Sequence, residues 1–194
     1  MRWLILACMG WGCVSASGQE IIENRSVGGQ VWLRTVLTPY DKTSNASKEA
    51  TYKVYTHVMD FAGKEPITKG VGGKYTHHRG MFIGWMHTKV AGQDIDTWGM
   101  ESSYQQHVAW LAREDGEKYA SQSEKIQWCD LKGKPCIEEI RTIQAHPGTQ
   151  DARVIDFRSQ LTTLVGPIEL RGNVQHAGMH IRMAQEVAEH EDTT

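Results

Sequence analysis

The sequence predicts an all-β fold, an antiparallel β-sandwich. Three observations carry this expectation: frequent strand-like runs, turn chemistry between them, and no long stretch with helical periodicity. The runs are Gln30 to Thr38, Thr51 to Met59, Gly80 to His87, Tyr104 to Ala112, Tyr119 to Trp128, Ile137 to Ala145, Ala152 to Leu164 and Gln175 to Met183, all rich in β-branched and aromatic residues. DFAGKEP, VGGK, AGQD, EDGEK, DLKGKP, HPGTQD, VGP and RGN supply the turns between them. Only Ala184 to His190 suits a short helix, and the polar segment Thr38 to Ala50 reads as a surface loop. Strands at this spacing suggest two packed sheets.

At 194 residues the chain is long enough for one domain with its own core. Its formal net charge of -2 disfavours nucleic acid as a partner, because phosphate binding wants a basic surface. Residues 1–18 read as an export signal: Arg2 precedes an apolar run from Trp3 to Val14, and Ala16-Ser17-Gly18 offers cleavage before Gln19. That run is too short for a permanent anchor, and no later segment is apolar enough to cross a membrane as a helix. The expected mature unit, residues 19–194, is therefore exported, to the periplasm or the outside. It keeps two cysteines, Cys129 and Cys136, flanking the turn DLKGKP. A two-residue loop at Lys132-Gly133 would set them opposite each other, and an oxidising compartment would permit a disulfide.

Two segments concentrate residues able to do chemistry. In YTHHRGMFIGW, His77, His78 and Arg79 stand directly before an apolar, glycine-punctuated run. Strand alternation would let only one of the two histidines line a given surface. In QHAGMHIRM, alternation puts Ala177, Met179, Ile181 and Met183 on one face, expected to be core. His176, Gly178, His180 and Arg182 share the other. His77, His78, His176 and His180 are thus the candidate acid/base residues, or the ligands of any metal. Arg79 and Arg182 could hold a carboxylate or sugar hydroxyls, while Trp85 and Trp98 could stack on a sugar ring. Each also has a structural reading, as an ion pair or as core. His57, His87 and His107 are weaker candidates, His146 sits in a turn, and Glu101 and Glu186 are the nearest carboxylates. No phosphate-binding loop, dinucleotide fingerprint, GxSxG or HExxH occurs.

The segments YKVYTHVMDFAGKEPITKG, THHRGMFIGW, DTWGM, QHVAWL, DFRSQLTTLVGPIEL and QHAGMHIRMAQEVA resemble the DUF6807 family. Members are often called "methane oxygenase PmoA-like" and are common in Planctomycetes and related polysaccharide-degrading bacteria. The resemblance covers about residues 28–188, and implies a secreted β-sandwich of the galactose-mutarotase-like kind in a setting of carbohydrate breakdown. In mutarotase-like folds a histidine acid and a carboxylate base act on the sugar, and His77 or His78 with His176 would be the matching histidines by analogy of fold. Chains of the family normally run well past the QHAG strand, so this one is expected to be truncated at its C-terminus.

Three functions follow as expectations. The first is an exported protein that binds or processes a carbohydrate or other small molecule by histidine acid/base chemistry, without a required cofactor. The second is a copper- or iron-dependent oxidoreductase, as the family name suggests, with zinc a further metal for the same histidines. The third is a non-catalytic binding module.

Overall fold

The computed structural model describes residues 20–148 and 152–189; the leader-like segment lies outside them. In chain order the strands are β1 (Ile22–Val27), β2 (Gln30–Val36), β3 (Tyr55–Val58), β4 (Met81–Trp85), β5 (His87–Val90), β6 (Gln93–Ile95), β7 (Ser103–Asp115), β8 (Ala120–Asp130), β9 (Pro135–Pro147), β10 (Arg153–Thr163), β11 (Ile168–Arg171) and β12 (Ala177–Ile181). Two short helices, α1 (Asn45–Thr51) and α2 (Gln185–Glu189), accompany them. A five-stranded sheet, β1-β2-β3-β4-β12, faces a four-stranded sheet, β10-β9-β8-β7, and β11-β5-β6 forms a third, smaller sheet. All pairings between these strands are antiparallel, so the all-β sandwich expected from the sequence is the fold.

Period-two alternation builds the interface between the large sheets. Leu33, Val58 and Met81 from one sheet meet Ala120, Ile143 and Ala145 from the other. Further along, Ile83 and Trp85 of β4 pack with Ile126, Trp128 and Ile137, and the Trp85 and Trp128 rings lie 6.1 Å apart. Amid this apolar layer sits a fully buried ion pair. Arg141 reaches both Glu139 oxygens at 2.9 Å and donates to the Val54 carbonyl at 2.8 Å. Trp128 Nε1 and Ser159 Oγ complete the carboxylate's shell, each at 2.8 Å. Because every lone pair in reach has a donor, the pair is tolerated in the core, and it ties β9 to the segment entering β3.

Several sequence expectations change. Thr38 to Ala50 is not wholly loop: Ser44 caps α1, its side chain accepting from the Ser47 N–H at 3.0 Å. That helix takes the start of the expected Thr51 to Met59 strand, leaving β3 only four residues. The strands β1, β5, β6 and β11 lie partly or wholly outside the expected runs. Polar IENRSV becomes a strand by pairing with β2, a tertiary effect that local pattern does not carry.

The cysteines do not bond. The turn after β8 spans Leu131 to Lys134, with Asp130 N–H donating to Lys134 O, and a register shift sets Cys129 opposite Pro135. Cys129 then packs with Tyr52, Met100 and Tyr104, while Cys136 packs with Trp128 and Ile137. Both thiols are free and buried.

Two tests follow from this core. Without any reductant, alkylation followed by peptide mass spectrometry should find Cys129 and Cys136 modified only after denaturation; recovery of a 129–136 cross-linked peptide would contradict the register. Replacing Arg141 by Met should cost about 3–5 kcal/mol in denaturant unfolding, because Glu139 is left buried and unpaired. The double variant Arg141→Met/Glu139→Leu should lose distinctly less.

Candidate functional site

The chemistry-bearing residues gather on the outer face of the five-stranded sheet, away from the sandwich interior. Along β4, Met81, Ile83 and Trp85 point inward, so Phe82 and Gly84 face outward. Gly84 is required there: a Cβ would collide with the Thr97 carbonyl oxygen, so only glycine lets the loop from Asp96 to Met100 cross the strand. Thr97 fastens that loop by donating to Trp85 O at 2.9 Å, and Asp96 Oδ1 accepts from the N–H groups of Trp98 and Gly99. Gly80 plays a matching part where β4 starts, since a Cβ would strike Thr56 O. The glycine punctuation of the motif is thus a set of close backbone approaches.

Trp98, delivered by this loop, is 2 % exposed and forms the hub of the site. All four candidate histidines touch it. Ring centroids lie 4.7 Å away for His77, 5.6 Å for His78, 4.5 Å for His176 and 5.5 Å for His180. His180 also stacks on Phe82, its partner across the β12–β4 ladder, at 5.3 Å. His176 donates from Nδ1 to Asn173 Oδ1 at 2.6 Å.

His77 and His78 do not alternate across a strand as expected, because THH lies in a turn. His78 N–H donates to Tyr75 O at 3.0 Å, and the bend brings both rings to the same indole. Arg79 is placed inside, 1 % exposed, where its guanidinium donates to the carbonyls of Gly70, His78 and Glu49. It fixes the turn to α1 and leaves no fork for a ligand. Trp85 is likewise committed to the core, and buried Trp98 supports the site from within. The exposed aromatic ring here is Tyr75, 40 % exposed and 5.0 Å from His78. On β12 the two faces are as expected, but their environments are reversed. Met179, Ile181 and Met183 are 43–49 % exposed, because β12 is an edge strand whose inner side the second sheet leaves uncovered among the described residues.

Lys53 was not a sequence candidate, yet it holds the assembly together. It is buried, and its ammonium donates to His77 O at 2.8 Å and Trp98 O at 2.7 Å while lying 3.7 Å from the Phe82 ring centroid. Burial, then the Arg79 charge, drives its pKa well below the usual lysine value. Its place in TYKVYT, one residue after Tyr52 and before two further β-formers, is the only hint the sequence offers.

Two cavities flank the histidine turn. One, of about 290 Å³, is lined by His77 with Asn45, Lys48, Glu49, Tyr52, Thr76, Gly99, Met100 and Glu101. The other, of about 250 Å³, is lined by His78, Lys69, Tyr75, Ile181, Arg182 and Met183. Glu186 borders neither. The weaker histidines have structural partners elsewhere: His57 with Thr68, His107 with Glu124 and His146 with Asp156, while His87 is exposed on β5.

A metal needs about three converging donors. Among the described residues no three His, Cys, Asp or Glu side chains converge in that way. The four imidazoles ring an indole instead of a shared point, an arrangement that does not fit copper, iron or zinc.

The family model described as a family of unknown function, DUF6807, matches residues 31–194. The chain belongs to the DUF6807 family. No curated protein and no solved structure matches the chain. The DUF6807 match spans both motifs that meet at Trp98, THHRG and QHAG, and so every residue of the cluster.

Burial above all, with the charges of Lys53 and Arg182 adding to it, lowers the histidine pKa values from 6.5 to about 4 for His77 and His180 and about 3 for His78. The Asp96 carboxylate opposes the shift at His77. These rings are neutral near pH 7. An unfolded chain would take up the protons near 6.5 and the folded one only near 3–4, so between those values acid favours unfolding. This contribution is fully present above pH 6.5 and is lost as pH falls through the folded values. The melting temperature should therefore drop from pH 7 to pH 4, and drop less steeply in His180→Gln; equal slopes would show that His180 does not resist protonation.

Proposed function

We propose that the chain is an exported carbohydrate-binding or carbohydrate-processing protein, with the cavity beside His77 as its acid/base site. The observation that carries this reading is the pairing, in one cavity wall, of a neutral imidazole with the carboxylate residues Glu49 and Glu101. A neutral imidazole has one lone pair and one N–H, so it can accept a proton from one ligand oxygen and supply one to another. Glu101, in the same wall, would be the carboxylate partner, taking or returning the second proton. Asn45 and Lys48 add donors suited to sugar hydroxyls. About 290 Å³ suits one or two sugar units, near the lower end for ligand pockets.

The β-sandwich and the histidine–carboxylate pairing support a mutarotase-like acid/base chemistry by analogy of architecture. The leader-like Met1 to Gln19 supports an exported setting, where glycans are met. His77 is held by Trp98 behind it and by Lys53 at its carbonyl, so its ring is pre-positioned.

The test is a panel of reducing sugars and oligosaccharides incubated with the full chain and followed by proton NMR, for binding and for anomeric exchange or cleavage. His77→Gln should lower the turnover by about 10²–10⁴-fold with ligand binding retained. Binding by the wild type without turnover would make the site a recognition module; absence of any sugar binding would sink the reading.

A further inference from the structure

The second cavity, on the His78 side of the turn, differs in character from the first. Its charged walls, Lys69 and Arg182, are cationic, and no acidic residue lines it among the described residues. Arg182 forms no salt bridge among the described residues. Its guanidinium lies 5.7 Å from the Trp98 ring, and its Nη2 donates to His180 Nδ1 at 3.3 Å. Since arginine can only donate, Nδ1 must be the bare nitrogen, and neutral His180 carries its hydrogen on Nε2.

Three N–H donors of this one cluster are buried with no acceptor among the described residues: Arg182 Nε, His180 Nε2 and Trp98 Nε1. A buried donor without an acceptor is costly, and here the surplus is all of one kind. The charges agree, because Lys53, Arg79 and Arg182 converge on the histidines with Asp96 as the acidic counterweight. The remaining walls are apolar or aromatic: Tyr75, Ile181 and Met183.

From these observations we infer that the His78 cavity binds the carboxylate of a small organic acid with an apolar face, of the hexuronic acid class. Arg182 lines the cavity; with Nη2 given to His180, its remaining guanidinium N–H groups are the donors suited to a carboxylate, and Lys69, whose Nζ donates to Gly72 O, lines the same wall. Tyr75, exposed beside His78, offers a face for the C–H side of a sugar ring. About 250 Å³ holds one such unit. An inorganic oxyanion would leave the Tyr75 and Met183 walls unused. The inference concerns a different cavity from the acid/base reading, so either can fail while the other stands.

The experiment is calorimetric titration of the full chain with glucuronate, glucose and inorganic sulfate at fixed ionic strength. Glucuronate should bind about tenfold or more tightly than glucose, the worth of one charge-assisted hydrogen-bond pair. Arg182→Met should remove that preference. Because Arg182 is half-buried, Ile181→Glu provides a second variant at a 49 % exposed wall position. It places a negative charge in the cavity and should also abolish glucuronate binding in a chain with an unchanged melting temperature. Equal affinity for glucose and glucuronate would overturn the inference, as would glucuronate binding that survives both substitutions. Sulfate competing as well as glucuronate would overturn the carboxylate assignment.

Discussion

The site depends on one buried ammonium. Lys53 Nζ bridges the carbonyls of His77 and Trp98, which belong to two loops that share no ladder, and it rests on the face of Phe82. Two carbonyls and an aromatic face substitute for water around the charge, and among the described residues no carboxylate pairs with it directly. The consequence is electrostatic as well as geometric. Burial lowers the pKa values of His77, His78 and His180 most, and the nearby charges of Lys53 and Arg182 lower them further.

That ammonium is itself held by the sandwich. The residues on either side of Lys53 are gripped through their backbones: Tyr52 O accepts from Gln105 N–H at 2.7 Å, and Val54 O accepts from Arg141 at 2.8 Å. Arg141 belongs to the buried ion pair of the core, so the interior of the sandwich fixes the position of a residue that serves the outer face. The sheet acts as a rigid plate between the two, with β4 sending Ile83 inward and Phe82 outward. A site carried by loops thus inherits the precision of a packed core.

Legibility followed the range of the interactions. The strand runs of β8, β9 and β10 were readable because alternation and turn residues are local signals. The faces of β12 were also readable, since alternation needs no partner. Which face is covered was not, because that depends on where the opposing sheet ends. The disulfide expectation failed for a similar reason: one register shift after Trp128 sets Cys129 opposite Pro135, and register is a property of two strands. Arg79 looked like a ligand fork and is an internal brace, since its acceptors come from residues far apart in sequence.

By itself the sequence determined an antiparallel β-sandwich, the family, and the two histidine-bearing segments, because residue type, alternation and turn chemistry are written along the chain. Tertiary structure alone decided that these segments meet, that Trp98 is their hub, and that Tyr75 is the ring left exposed beside them. It also selected Lys53 as the tether and split the surroundings into an acidic-walled and a cationic cavity. The physical reason is that convergence, burial and field are set by contacts between distant residues, and no local pattern encodes how far a loop will fold back across a sheet.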